Sequence, residues 1–196
     1  MKKIVSILFI ILVGFTTKLI AEDSQSVKRI SVGDKNAKIK IIVYESLTCG
    51  HCADFHENVY PSLKNDFIEK GLVRIEFRHF PLDIAAFNAS KIGQCNNDGN
   101  ADVLNILFSG QKKWAKGKTP EEATEYLKKF LTDEGISIDF EKCLNDKNIE
   151  DYVLNDRIEG VKKFKVNATP TIIINGKKFD KALNYNNLKK YLEKLI

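Results

Sequence analysis

The chain is short of everything that would point to a repeat, a scaffold or a membrane channel. Its 196 residues hold no internal repeat, no low-complexity tract and no Pro-, Gly- or Ser-rich linker, which leaves a globular chain of one domain or one domain with an insertion. No uninterrupted apolar run reaches the roughly 20 residues that span a bilayer. No second Cys-x-x-Cys and no His pair accompanies the single one at Cys49 and Cys52, so a closed zinc site lacks half its ligands. A strong excess of one charge is also missing. Lys and Glu alternate along solvated helix faces, and neither a nucleic-acid nor a membrane-surface partner is implied.

The N-terminus is Met1-Lys2-Lys3, then an apolar stretch over residues 4–15, then Thr16-Thr17-Lys18-Leu19-Ile20-Ala21. That order of basic, apolar and polar regions is a secretory signal peptide, expected over residues 1–21 with Ala21 last before cleavage. An uncleaved anchor is the alternative. Removing the segment takes away Lys2, Lys3 and Lys18 and no acid, so the formal net charge of +5 falls to +2. Export also places the chain where disulfides form and persist. The four cysteines then divide into an adjacent pair, Cys49 and Cys52, and a separated pair, Cys95 and Cys143. Of the three formal pairings, the adjacent pair closing on itself suits a redox site.

Periodicity organises the rest. Residues 38–45 read as a buried strand, and residues 53–70 as a helix that Pro61 kinks. Residues 72–80 alternate as a half-buried strand. From Leu82 to about Lys165 the pattern is helical: residues 84–95, 101–114, 120–133, 139–144 and 149–164, with Thr119-Pro120-Glu121-Glu122 a good helix start. Strands return at residues 171–174 and 177–179 around Asn175-Gly176, a hairpin signal, and residues 183–196 close the chain as an amphipathic helix. The order is a βαβ half and a ββα half separated by helices. The expected fold is therefore α/β, a thioredoxin fold over residues 22–82 and 166–196 with an inserted helical domain over residues 83–165.

Cys49-Gly50-His51-Cys52 lies between the first long strand and its helix. A helix start leaves backbone N–H groups unpaired and carries about half a positive charge, which favours a thiolate there. Cys49 is the expected nucleophile and Cys52, one turn in, the more buried resolving thiol. The imidazole of His51 is expected near Cys49, lowering its pKa further. Glu45, four residues before Cys49, has two readings: a buried carboxylate relaying the Cys52 proton, or a solvated glutamate at a strand edge. His56 shares a helix face with Cys52 and has two readings, a packed helix histidine, which is the expectation, or a residue that borders the site. Pro170, in Ala168-Thr169-Pro170-Thr171, sits just before an apolar strand, where a residue without an N–H can face a site. A Cys95–Cys143 bond is expected in an exported chain, with two buried free thiols as the alternative.

These residues resemble the DsbA family of bacterial periplasmic thiol:disulfide oxidoreductases. The likeness runs through Gly33-Asp34-Lys35-Asn36-Ala37, Tyr44-Glu45-Ser46-Leu47-Thr48-Cys49-Gly50-His51-Cys52, Phe77-Arg78-His79-Phe80-Pro81-Leu82 and Ala168-Thr169-Pro170-Thr171 with Asn175-Gly176, and looks like the branch common in α-proteobacteria. It departs from the family in carrying Gly50 where proline is common, and Val43 six before the nucleophile where an acid often stands. The resemblance implies a cis bond before Pro170, peptide contact at Thr169 and Pro170, and a monomer without cofactor or metal. It implies unfolded exported polypeptides as substrates and reoxidation by a quinone-linked, DsbB-like membrane partner. The expected function is an oxidase acting through a Cys49–Cys52 disulfide. The alternatives are an isomerase or reductase kept reduced, and a metal-binding protein using Cys49, Cys52 and a histidine as soft ligands.

Overall fold

A computed structural model describes residues 27–95 and 99–196; the signal-peptide assignment, residues 1–21, lies outside them. Five strands form one mixed sheet: β1 (Ser31–Val32), β2 (Ile39–Glu45), β3 (Val73–His79), β4 (Thr171–Ile174) and β5 (Lys177–Lys178), in the order β1-β3-β2-β4-β5. β2 runs parallel to β3, with Ile41 opposite Ile75, and antiparallel to β4, with Val43 opposite Ile172. It is the central strand. Its side chains alternate between two cores because successive residues point to opposite faces. Ile39, Ile41 and Val43 join the larger core, and Ile42 and Tyr44 the smaller one with Phe80, Val166 and Ile173.

Three short helical segments follow β2: α1 (Gly50–Asn58), α2 (Tyr60–Leu63) and a π-helical turn, Lys64–Ile68. The expected kinked helix is thus broken, and the break falls at Val59, with Pro61 in the first turn of α2, where its missing N–H costs nothing. Between β3 and β4 lie α3 (Ile84–Cys95), α4 (Asp102–Ser109), α5 (Gln111–Trp114), α6 (Pro120–Asp133), α7 (Phe140–Asn145) and α8 (Lys147–Phe164). The single helix expected over residues 101–114 divides at Gly110. A Cβ there would stand 2.0 Å from Phe130 Cζ, so the corner exists to let the α6 ring in. Thr119 caps α6 by accepting from the Glu122 N–H, as its sequence suggests. The last helix, α9 (Tyr185–Leu192), is shorter at both ends than its periodicity.

The helical insertion is not a separate core. Leu104, Leu107, Trp114, Leu127 and Leu131 pack in one continuous cluster with Val43, Phe55 and Phe77 of the thioredoxin half. α8 instead crosses the opposite sheet face, so close that a Cβ at Gly160 would lie 2.8 Å from Tyr44 Cε1. Its buried Asp156 accepts two bonds from Arg29 Nη1, at 2.6 and 2.7 Å, and one from the His79 backbone N–H at 3.1 Å. Paired and hydrogen-bonded, that carboxylate meets the condition for a charge to sit inside. Cys95 and Cys143 form a disulfide joining α3 to α7, with 5.5 Å between their Cα atoms.

Candidate active site

The C-terminal end of β2 delivers Cys49 to the start of α1, where it occupies the N-cap position in extended conformation. No side chain caps this helix, so its first N–H groups remain available to a charged sulfur. Cys49 is partly exposed and Cys52 fully buried, and both are free thiols, the reduced form of the pair. The two sulfurs are driven in opposite directions. Cys49 is lowered to about 5, first by the Cys52 thiol donating to it, then by Thr169 and by the backbone N–H groups of Cys52 and His51, against the opposing effect of burial. Cys52 is pushed well above the ordinary thiol range, chiefly by burial, then by its bond to Cys49 and by the charge of Glu45.

Thr169 and Pro170 close the site from the other half of the fold. Their peptide bond is cis. Cys49 Sγ donates to the Thr169 carbonyl at 3.3 Å, across 120 residues of sequence. Thr169 Oγ1 is buried, and its hydroxyl favours the Cys49 thiolate.

His51 differs from its expectation. Its ring is 87% exposed and stands 3.8 Å from Asp54 Oδ2. The part of His51 that acts on Cys49 is the backbone N–H. The reason is helical geometry: two residues past the cap, the N–H points back at the cap while the side chain swings outward.

Glu45, the last residue of β2, lies opposite His79 of β3 and is only 3% exposed, so the solvated-edge alternative is excluded. Its Oε2 lies 2.8 Å from His56 Nε2, while Oε1 is buried with no hydrogen-bond partner among the described residues. His56 stacks on Phe108 of α4 at 4.1 Å between ring centroids, and its Nδ1 lies 3.3 Å from Asn105 Oδ1. Tyr60 also faces this pair, its phenol raised to about 12 by burial and then by Glu45. His56 and Asn105 line a cleft of about 610 Å³ between α1 and the α4–α5 corner. The i, i+4 spacing from Cys52 is the sequence signal for His56; its pairing with Glu45 depends on how β2 and α1 cross. His79, opposite Glu45 on β3, lies 3.0 Å from Gln94 of α3.

Among the described residues no group of three or more His, Cys, Asp and Glu side chains is placed to hold a metal ion. The arrangement offers an attackable sulfur, a buried second sulfur one turn away and a buried carboxylate–imidazole pair behind it. That set is suited to thiol–disulfide exchange.

Comparison with known proteins gives the same picture. A family model described as Thioredoxin matches residues 25–194. The crystal structure of α-DsbA1 from Wolbachia pipientis superposes with a TM-score of 0.75 at 30% identity, covering 85% of this chain and 90% of that one. The disulfide bond formation protein D of Bacillus subtilis is 25% identical over 180 residues, 83% of this chain and 75% of that protein. A Rickettsia bellii protein named for protein-disulfide oxidoreductase activity is 28% identical over 152 residues, 74% of this chain. The chain spans only 56% of that relative's length. With its family model matched almost end to end and its cysteines at the start of α1, the chain belongs to the thioredoxin family and, within it, to the DsbA-like proteins.

Proposed function

We propose that this chain is an exported thiol:disulfide oxidase that introduces disulfides into periplasmic polypeptides. The observation that carries the reading is the split between the two thiols of one motif, Cys49 low and Cys52 high. A thiolate stable at Cys49 favours the reduced protein, so the oxidised protein gives up its disulfide readily.

The chemistry starts from the Cys49–Cys52 disulfide. A substrate thiolate attacks Cys49 Sγ, the Cys49–Cys52 bond breaks, and Cys52 leaves as a thiolate. Buried and held high, Cys52 takes up one proton at once. Glu45, paired with His56, handles that proton, and the 610 Å³ cleft beside His56 and Asn105 connects it to water. A second substrate thiolate then attacks the substrate sulfur of the mixed disulfide and releases Cys49 as a thiolate, a good leaving group because its pKa is about 5. The substrate loses two electrons and two protons; the cysteine pair gains the electrons. Thr169 and Pro170, beside Cys49, meet the incoming extended peptide, whose backbone pairs with that edge.

The same reading assigns residues 1–21 as a signal peptide, a periplasmic location and a monomer. Its substrates are unfolded exported polypeptides with cysteines, and a quinone-linked DsbB-like membrane partner reoxidises it. Thiol trapping in intact cells tests it directly. Cys49 and Cys52 are expected to be mostly oxidised at steady state; a pair found mostly reduced would instead support an isomerase or reductase.

A further inference from the structure

One side chain of the insertion reaches the redox loop at two points. Gln111, the first residue of α5, is buried, and its Nε2 donates to the Leu47 carbonyl at 2.8 Å and to the Cys49 carbonyl at 3.0 Å. The Cys49 carbonyl also accepts from the N–H groups of Cys52, at 3.1 Å, and Ala53, at 3.2 Å. Three donors thus converge on the oxygen of the nucleophile's own peptide.

Gln111 is braced from behind. Gly110, just before it, is packed against the Phe130 ring. Trp114, at the other end of α5, is fully buried, and its Nε1 donates to the Leu107 carbonyl at 2.8 Å. The short helix therefore belongs rigidly to the insertion while its amide belongs to the loop.

A carbonyl oxygen turned toward a thiolate opposes its charge, and an N–H turned toward it favours the charge. By engaging Leu47 O and Cys49 O, Gln111 turns both oxygens toward α5. The backbone groups that face the sulfur are then the His51 N–H and the Cys52 N–H, the latter shared with the Cys49 carbonyl. A side chain of the same length without donors would leave the Leu47 carbonyl to seek another partner, and the loop would turn with it.

We propose that Gln111 is a positioning residue for the redox reaction: from the helical insertion it fixes the peptide of the nucleophile, and so sets how readily Cys49 leaves and attacks. This rests on Cys49 as the nucleophile. It makes the insertion part of the machinery that sets the reactivity of the sulfur, with a role beyond covering it.

Gln111→Met tests the idea, because it keeps length and bulk and removes both donors. In the reduced protein, thiolate absorbance is expected to show the Cys49 titration moved up by about one pH unit. The equilibrium constant with glutathione should move about tenfold toward a weaker oxidant. Val153→Ala is the control. It thins the packing of α8 on the opposite face of the sheet and leaves Gln111 and its brace intact, so it should lower the unfolding midpoint and leave the Cys49 titration in place. A Gln111→Met titration that overlays the parent curve overturns the proposal, and so does a Val153→Ala shift of equal size. Should Gln111→Met fail to accumulate folded, NMR of the parent protein decides. Side-chain amide protons of Gln111 that exchange slowly and differ between dithiol and disulfide forms support the role; freely exchanging ones overturn it. A parent Cys49 that titrates in the ordinary thiol range would count against the functional reading itself, whatever Gln111 does.

Discussion

The molecule holds two pairs of cysteines, and they share almost nothing beyond the element sulfur. Cys49 and Cys52 sit three residues apart at the open start of a helix, one sulfur partly exposed and the other buried. Cys95 and Cys143 are 48 residues apart in sequence, bonded across two packed helices of the insertion. The first pair has polarised surroundings: helix N–H groups on one side, a buried carboxylate on the other. The second has helix packing and little else. Placement, not residue type, sets the two pairs apart.

The largest expected effect comes from removing the second pair. Cys95→Ser with Cys143→Ser frees a loop of 48 residues, which should lower stability by about 3–5 kcal/mol in the chain-entropy description. Denaturant unfolding would show it as a lower midpoint, with exchange activity largely kept. Activity lost in proportion to stability would erase the division of labour between the pairs.

A second expectation sharpens the contrast through pH. Cys49 is depressed to about 5 in the folded reduced protein, whereas an unfolded thiol titrates near 8.5. The stability this gives the reduced form is therefore fully present above the unfolded value and lost as pH falls through about 5. Cys52, raised by burial, adds the opposite sign: above about 8.5 the unfolded chain ionises there and the folded one does not, so stability falls again. The Cys95–Cys143 bond has no titrating group and contributes a pH-independent amount. Unfolding midpoints of reduced protein between pH 4 and 9, compared with Cys49→Ser, should show an acid-side loss in both, because both proteins keep the buried Asp156 pair, and a larger one in the parent.

The smallest expected effect is at His51. With its ring in solvent and its N–H doing the electrostatic work, His51→Ala should shift the Cys49 titration by less than about half a pH unit. A shift of a full unit or more would mean that the imidazole turns in toward the sulfur.

Much of this was legible in the sequence wherever a local signal carries the structure. α3, α6 and β4 have the limits that periodicity, the Thr119 cap and the Asn175-Gly176 turn predict. Cys49 and Cys52 stand out by their spacing at one strand–helix junction and Pro170 by its place before an apolar strand, whereas the part of Thr169 and the cis bond came only with the family resemblance. What stayed hidden was non-local. Glu45 and His56 are 11 residues apart on different elements, and only the crossing of β2 over α1 brings them to 2.8 Å. The corner at Gly110 depends on a ring 20 residues later in the chain. Gln111 gives no sequence signal at all, since an amide in a helical run reads as a solvated face. His51 was misplaced for the converse reason: its residue type suggested a side-chain role in a position where only the backbone faces inward.

The register of β2 has a bearing on biogenesis. A chain made from its N-terminus presents Cys49 and Cys52 long before Thr169, the residue that accepts from the Cys49 sulfur. One long edge of β2 is paired by β3 soon after both emerge, but the other waits for β4, beyond the whole insertion. Through that interval the emerging polypeptide carries a reactive dithiol beside an open strand edge, a surface on which other chains can add. Until β4 arrives, Cys49 and Cys52 are therefore themselves open to thiol–disulfide exchange with other chains.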